Sequence, residues 1–137
     1  MTRMKSNRAV GNAFEQEFCE LLSAYGFWVK NLRQDNAGQP ADVIAVRNKV
    51  AYLIDCKDCS AKGFDLRRVE DNQITAMQLW GDCGNGQGWF ALKLPTDEIY
   101  MIPLFTVMIY RETQSSLSFA DIHELGKTLD WWVRKCK

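Results

Sequence analysis

The stretch PADVIAVRNKVAYLIDCK, from Pro40 to Lys57, reads as a single β-hairpin. DVIAVR and VAYLIDCK are short, apolar, β-branched runs, and Asn48-Lys49 between them suits a tight two-residue turn. With those two residues as the loop, Arg47 pairs with Val50. Counting outward, Asp42 then falls opposite Asp55. Opposed residues on antiparallel strands share a face, with Cβ atoms roughly 5 Å apart. Lys57, two residues beyond Asp55, joins them by the period of two. Val43, Leu53 and Cys56 are expected on the other face. A slip of one residue would split the acids between the two faces, so the reading rests on the turn.

Two neighbouring carboxylates repel unless something positive sits between them. A hard divalent cation such as Mg²⁺ suits them, because it takes oxygen ligands and keeps several waters for phosphate oxygens. Such a site can acidify a water and polarise a phosphoryl group, and a nearby lysine can steady the charge that builds there. A bare D-x-K would read as an ordinary Asp-Lys surface pair of little energetic weight. Asp42 in register, and a further acid on the preceding helix, tip the reading towards a site.

That further acid lies in GNAFEQEFCELLSAYGF, residues 11–27. Phe14, Phe18, Leu21, Leu22 and Tyr25 follow helical spacing, and Gly26 is a natural stop. At about 100° per residue Glu15 borders the apolar stripe. Glu17 lies on its other flank, and Glu20 points to solvent. A second helix is expected after Phe64, where Val69, Gln73, Met77 and Trp80 share one face. Gln73 is then a polar group on an inward stripe and needs a partner. Either a structural bond to backbone or a place near the scissile phosphate or a metal-bound water would supply it.

A helix Glu, then Asp, then D-x-K on the next strand resembles the PD-(D/E)-x-K nuclease superfamily. Within it the chain is most similar to Holliday junction resolvases of the archaeal and RecU types. The archaeal layout is matched by Arg8, then Gly11, Glu15 and Glu17 at the head of a helix that ends in Gly26-Phe27, and by the 13-residue step from Asp42 to Asp55. FDLRRVEDNQITAM from Phe64 resembles the RecU-type stretch in which F-x-L leads to a glutamine-bearing helix. The chain departs from the pattern at Ala41, which separates Pro40 from Asp42, and in using Asp rather than Glu as the second acid.

The resemblance spans about residues 8–80. It implies an α/β, restriction-endonuclease-like fold with a mixed central sheet flanked by helices. It implies a Mg²⁺-dependent endodeoxyribonuclease, Mn²⁺ being able to substitute, that acts on four-way junctions as a homodimer, since symmetric resolution needs two sites about a two-fold axis. Glu15, Asp42, Asp55 and the Cys56 carbonyl are the implied metal ligands. Lys57 is implied to position the water or stabilise the transition state, and Gln73 to support it. Alternatives are a nuclease of the same fold that cuts linear, flapped or damaged DNA, and a non-catalytic DNA-binding module.

The 137 residues, 47% hydrophobic, suffice for one core. They divide into a basic arm over residues 1–10 and one nuclease domain over 11–137. No repeat and no run of membrane-spanning length occurs, and the lack of a signal-peptide pattern points to an intracellular, cytoplasmic location. Net charge is zero, but the basic residues cluster around the proposed site in sequence: Arg3, Lys5 and Arg8 in the arm, Arg33 (with Lys30) before the Asp42 strand, and Lys62, Arg67 and Arg68 after the D-x-K strand. All of these but Lys30, which reads as a solvated surface charge, are the expected DNA contacts. Cys56 and Cys59 spell C-x-x-C, but no second pair accompanies them, so neither a zinc site nor a redox pair is expected. His123 is expected at the surface or in packing. Gly88–Leu94 reads as a strand, Glu98–Tyr110 as one further strand broken at Pro103, and the region after Ser118 as one helix with Leu125, Leu129, Trp132 and Val133 on its apolar face. Trp131 and Trp132 suit core, dimer or DNA contacts.

Overall fold

In the computed structural model, which describes residues 7–32 and 41–136, Asn48 and Lys49 both take positive φ, 54° and 70°. This is the type I′ geometry whose twist matches the flanking strands. The turn joins β2 (Val43–Arg47) to β3 (Val50–Asp58) and sets Arg47 opposite Val50 and Val43 opposite Ile54. The expected register therefore holds along the whole ladder.

Ahead of the hairpin, α1 (Asn7–Ala24) begins inside the stretch expected as an arm, and its chain turns at Gly26, φ +93°, into the edge strand β1 (Trp28–Asn31). After it come β4 (Phe64–Asp65), a 3-10 turn (Leu66–Arg68), α2 (Asp71–Asp82) and β5 (Trp89–Lys93). The chain is completed by β6 (Ile99–Pro103), α3 (Leu104–Arg111), β7 (Ser116–Leu117), α4 (Phe119–Leu125), β8 (Lys127–Thr128) and α5 (Leu129–Lys135). The main sheet has the order β1-β2-β3-β5-β6-β8, with β3 and β5 parallel and the other pairs antiparallel. The small strands β4 and β7 pair separately.

A sheet apolar on both sides needs two covers, and each forms its own core. On one side Phe14, Phe18 and Leu22 of α1 and Leu129, Trp132 and Val133 of α5 pack on Val43, Ala45, Ile54 and Cys56. On the other, Ile74 and Met77 of α2, with Leu104, Val107 and Ile122, pack on Leu53, Phe90, Leu92 and Ile102. Leu53 thus corrects one expectation. It lies two residues from Asp55 and shares its face, whereas Val43 and Cys56 do face the other way. Helix α2 sits so close to the sheet that a Cβ on Gly88 would stand 2.5–2.8 Å from the Met77 side chain, its Cβ included. Only hydrogen fits between them.

Two further expectations are corrected. Leu104–Arg111 is a helix, not a continuation of the strand. Pro103 lacks an N–H and so suits a helix start, and Leu104 and Val107 turn inward while Phe105 and Ile109 stay exposed. The C-terminal helix is two helices. Ser118 caps α4 as expected, accepting from Asp121 N–H at 3.1 Å. Gly126 then packs against Ile102 and Tyr100, Lys127 and Thr128 pair with β6, and Thr128 starts α5 by accepting from Trp131 N–H at 3.2 Å.

Candidate active site

At Asp42 the chain leaves the ladder. Its N–H donates to the Ile54 carbonyl at 3.1 Å, although Ile54 is already opposite Val43. This one-residue offset swings the Asp42 side chain to the end of β3, where Oδ2 accepts the Cys56 N–H at 2.8 Å. The carboxylate thus takes the acceptor position that a continuing strand would have supplied.

Asp55 is 1% exposed. Burial, then the neighbouring Asp42 charge, raise its carboxyl well above the ordinary range, and Lys57 only partly offsets them. Its Oδ1 accepts from Gln73 Nε2 at 3.2 Å. Lys57 Nζ lies 3.0 Å from Oδ2, but as a charge contact only, since Oδ2 accepts no well-formed hydrogen bond. Gln73 is also held at its other end, where Oε1 accepts the Glu70 N–H at 3.1 Å. The expected bond to backbone is therefore present at one end of Gln73, which caps α2, while the other end grips Asp55. Glu70 was not singled out from sequence, although its E-x-x-Q spacing to Gln73 is a helix-start signature.

Glu15 is the buried acid of α1, 9% exposed. It lies on the α1 side of the sheet, close enough to Cys56 to join burial, Asp42, Asp55 and Cys19 in raising that thiol. Glu17 is taken by Lys93 Nζ at 2.7 Å, and this bond is the main cause of that lysine's raised pKa. Among the described residues no three His, Cys, Asp or Glu side chains stand close enough together to hold a metal ion. The structure assembles Asp42, Asp55, Lys57 and Gln73, and places Glu15 near enough to act on the same Cys56 thiol as Asp42 and Asp55. Two neighbouring carboxylates, one buried and only partly offset by an ammonium, suit a divalent cation that keeps most of its waters.

Of the basic residues, Arg3, Lys5 and Arg33 lie outside the described residues, and Arg8 is described only as part of α1. Lys62 is exposed. Arg67 grips Asp65 through Nε and Nη2, each at 3.0 Å. Arg68 Nη1 donates to the Asp58 carbonyl at 2.8 Å. Cys56 and Cys59 are buried in different cores, and burial pushes the Cys59 thiol up to about 12, which suits packing rather than redox or metal chemistry. His123 is exposed beside the Tyr100 ring. No helix among the described residues is long and apolar enough to cross a membrane.

Comparison with known proteins agrees with this geometry. Residues 6–129 match the sequence model of the archaeal Holliday junction resolvase (Hjc) family. The fold is similar to the solved structure of Hjc from Archaeoglobus fulgidus, a Holliday junction resolvase from an archaeal hyperthermophile. The TM-score is 0.65 at 19% identity, covering 93% of this chain and 98% of that one. A search of curated proteins finds no match. With a hairpin that carries two acids and a lysine at its open end, and a family match that runs from α1 to α5, the chain belongs to the archaeal Holliday junction resolvase family.

Proposed function

We propose that the protein is a Mg²⁺-dependent endonuclease that hydrolyses phosphodiester bonds at four-way DNA junctions, working as a homodimer. The observation that carries this reading is the buried Asp55, short of positive charge and held between Gln73 and Lys57 beside Asp42. A stable scaffold gains nothing from such a pair, whereas a cation-binding site requires one.

Asp42 and Asp55 would hold the ion, with the Cys56 carbonyl, and Glu15 would add a charge from the α1 side. A bound divalent ion supplies Lewis acidity to the phosphoryl oxygen and lowers the pKa of a water. Lys57, on the same face as Asp55, orients that water or meets the charge developing on the phosphate. Gln73 does not need to touch substrate. It fixes the Asp55 carboxylate so that the remaining oxygen is presented in one direction. Asp42 is fixed by the Cys56 N–H, so both ligands are oriented by backbone that is itself part of the sheet or of the α2 cap.

The test is cleavage of a labelled four-way junction beside its linear duplex, with Mg²⁺ and with chelator, for wild type and Asp55→Asn. Paired symmetric nicks in the junction alone, lost with chelator and in the variant, are expected. Equal cutting of both substrates would keep the nuclease and remove the junction specificity. Cutting that persists in chelator would remove the metal.

A further inference from the structure

The strand register carries the face of Asp55 beyond the acid pair. Leu53 lies opposite Ile44, and Ile44 opposite Lys30; Ala51 lies opposite Val46, and Val46 opposite Trp28. Trp28, Lys30, Ile44, Val46, Asp55 and Lys57 therefore look out from one side of the sheet. The cover on this side is thick over β3, β5 and β6, where Leu53, Phe90, Leu92 and Ile102 are buried. It thins out over β2 and β1. Ile44 and Val46 are half-buried, Lys30 is exposed, and Trp28 is 61% exposed. Among the described residues, a thinly covered strip of sheet with an indole and an ammonium on it thus runs up to the two carboxylates.

Its dimensions fit a nucleic-acid strand. Two residues of strand span about 7 Å, so Lys30 stands about one such step from the Asp42 level and Trp28 about two. Both steps are short enough for neighbouring nucleotides of one strand, whose rise is ~3.4 Å when stacked and longer when unstacked. The charge is complementary, and an indole face stacks on any base that has left the duplex stack, whatever its sequence. A base inside a continuous duplex offers no free face, whereas one at a strand-exchange point can. The other strongly exposed indole differs on each count. Trp131 is already covered by Lys127 and Lys135, whose Nζ atoms lie 4.8 and 5.7 Å from its ring, and it belongs to α5 on the opposite side of the sheet.

We infer that Trp28 and Lys30 form a substrate-positioning strip, on which an unstacked nucleotide of the branched DNA lies across the indole while Lys30 holds a neighbouring phosphate. The proposal rests on the junction-cleaving reading above and names how that site tells a branch from a duplex. Trp28 and Lys30 act by placing the strand, not by chemistry on the reacting atoms.

The experiment is anisotropy titration of a labelled four-way junction and of the matched linear duplex, with Ca²⁺ in place of Mg²⁺, for the full chain and for Trp28→Ala, Trp28→Phe and Lys30→Gln. Trp28→Ala is expected to weaken junction binding about tenfold with little change on duplex, and Trp28→Phe to restore most of it. Lys30→Gln is expected to weaken both and to reduce the salt slope by about one. Junction binding by Trp28→Ala equal to wild type would overturn the strip while leaving the nuclease reading intact. Failure of wild type to bind either DNA would overturn both. Dissociation of a wild-type dimer into monomers by Trp28→Ala, seen in sedimentation, would reassign the strip to contact between copies and overturn the proposal.

Discussion

The two ends of the β2–β3 hairpin each hold charge that is at least half-buried, and they treat it in opposite ways. At the turn end the Arg47 guanidinium reaches the Tyr25 carbonyl at 3.1 Å, Val133 at 2.6 Å and Cys136 at 3.0 Å, and lies 4.3 Å from the centre of the Phe27 ring. A cation placed where α1 and α5 end also meets the negative ends of both helix dipoles. At the open end Asp42 and Asp55 face each other with one ammonium between the pair's needs. At the turn end three carbonyls answer the charge as the chain folds, and only Nε is left without a partner among the described residues. The other end remains short of positive charge, and that shortage is what a divalent cation would relieve.

The sharpest way to break this contrast is at the open end. Asp55→Asn should lower junction cleavage by about a thousandfold, measured in single-turnover assays, while raising the melting temperature of the metal-free protein. A fall in both would mean that Asp55 is structural. At the turn end the effects should reverse. Arg47→Met strands three carbonyls and should cost about 3 kcal/mol, a drop in melting temperature of about 10 °C. Cleavage by the fraction still folded at low temperature should remain near wild type.

A pH series sharpens the comparison further. Below about pH 4, the ordinary range for Asp, the Asp55 carboxyl is neutral whether folded or not. As pH rises, the unfolded chain loses this proton while burial and Asp42 hold it in the fold. Stability from Asp55 is thus fully present in acid and is lost as pH rises through its raised value. The melting-temperature gap between Asp55→Asn and wild type, both metal-free, should therefore widen from pH 5 to pH 8, and Mg²⁺ should close it by stabilising wild type alone. A flat gap would sink the desolvation account. The smallest effect belongs to the turn. Lys49→Gly relieves a positive φ of 70° and should add about 0.5–1 kcal/mol, visible in urea unfolding with no change in cleavage.

The open end was legible because two short-range rules decide it: a two-residue loop fixes the register, and the period of two fixes the face. The same period, applied strictly, would have put Leu53 beside Asp55 rather than opposite it. Gln73 was legible as a polar group on an apolar stripe, although its double grip was not. What escaped depends on distant partners. Nothing near Arg47 announces carbonyls 86 and 89 residues away. The offset at Asp42 arises where the ladder ends, which hydropathy does not mark. Leu104–Tyr110 reads as strand because a nearly unbroken apolar run hides its helical period, and the split between α4 and α5 depends on Ile102 and Tyr100 crowding Gly126. Glu15 was legible as a buried acid by its place on the edge of the apolar stripe of α1.

The missing side chain at Gly88 makes this residue a tuning point for chemistry it never touches. Gln73 and Met77 are one turn apart on α2, so anything that lifts Met77 from the sheet lifts Gln73 from Asp55. A single methyl added at Gly88 would act as a wedge beneath the helix. It would leave every acid and the lysine in the sequence, yet loosen the one hydrogen bond that aims the carboxylate. On the metal-binding reading proposed above, affinity for the ion would then be set in part by the bulk allowed at this position, with Asp42, Asp55 and Lys57 unchanged.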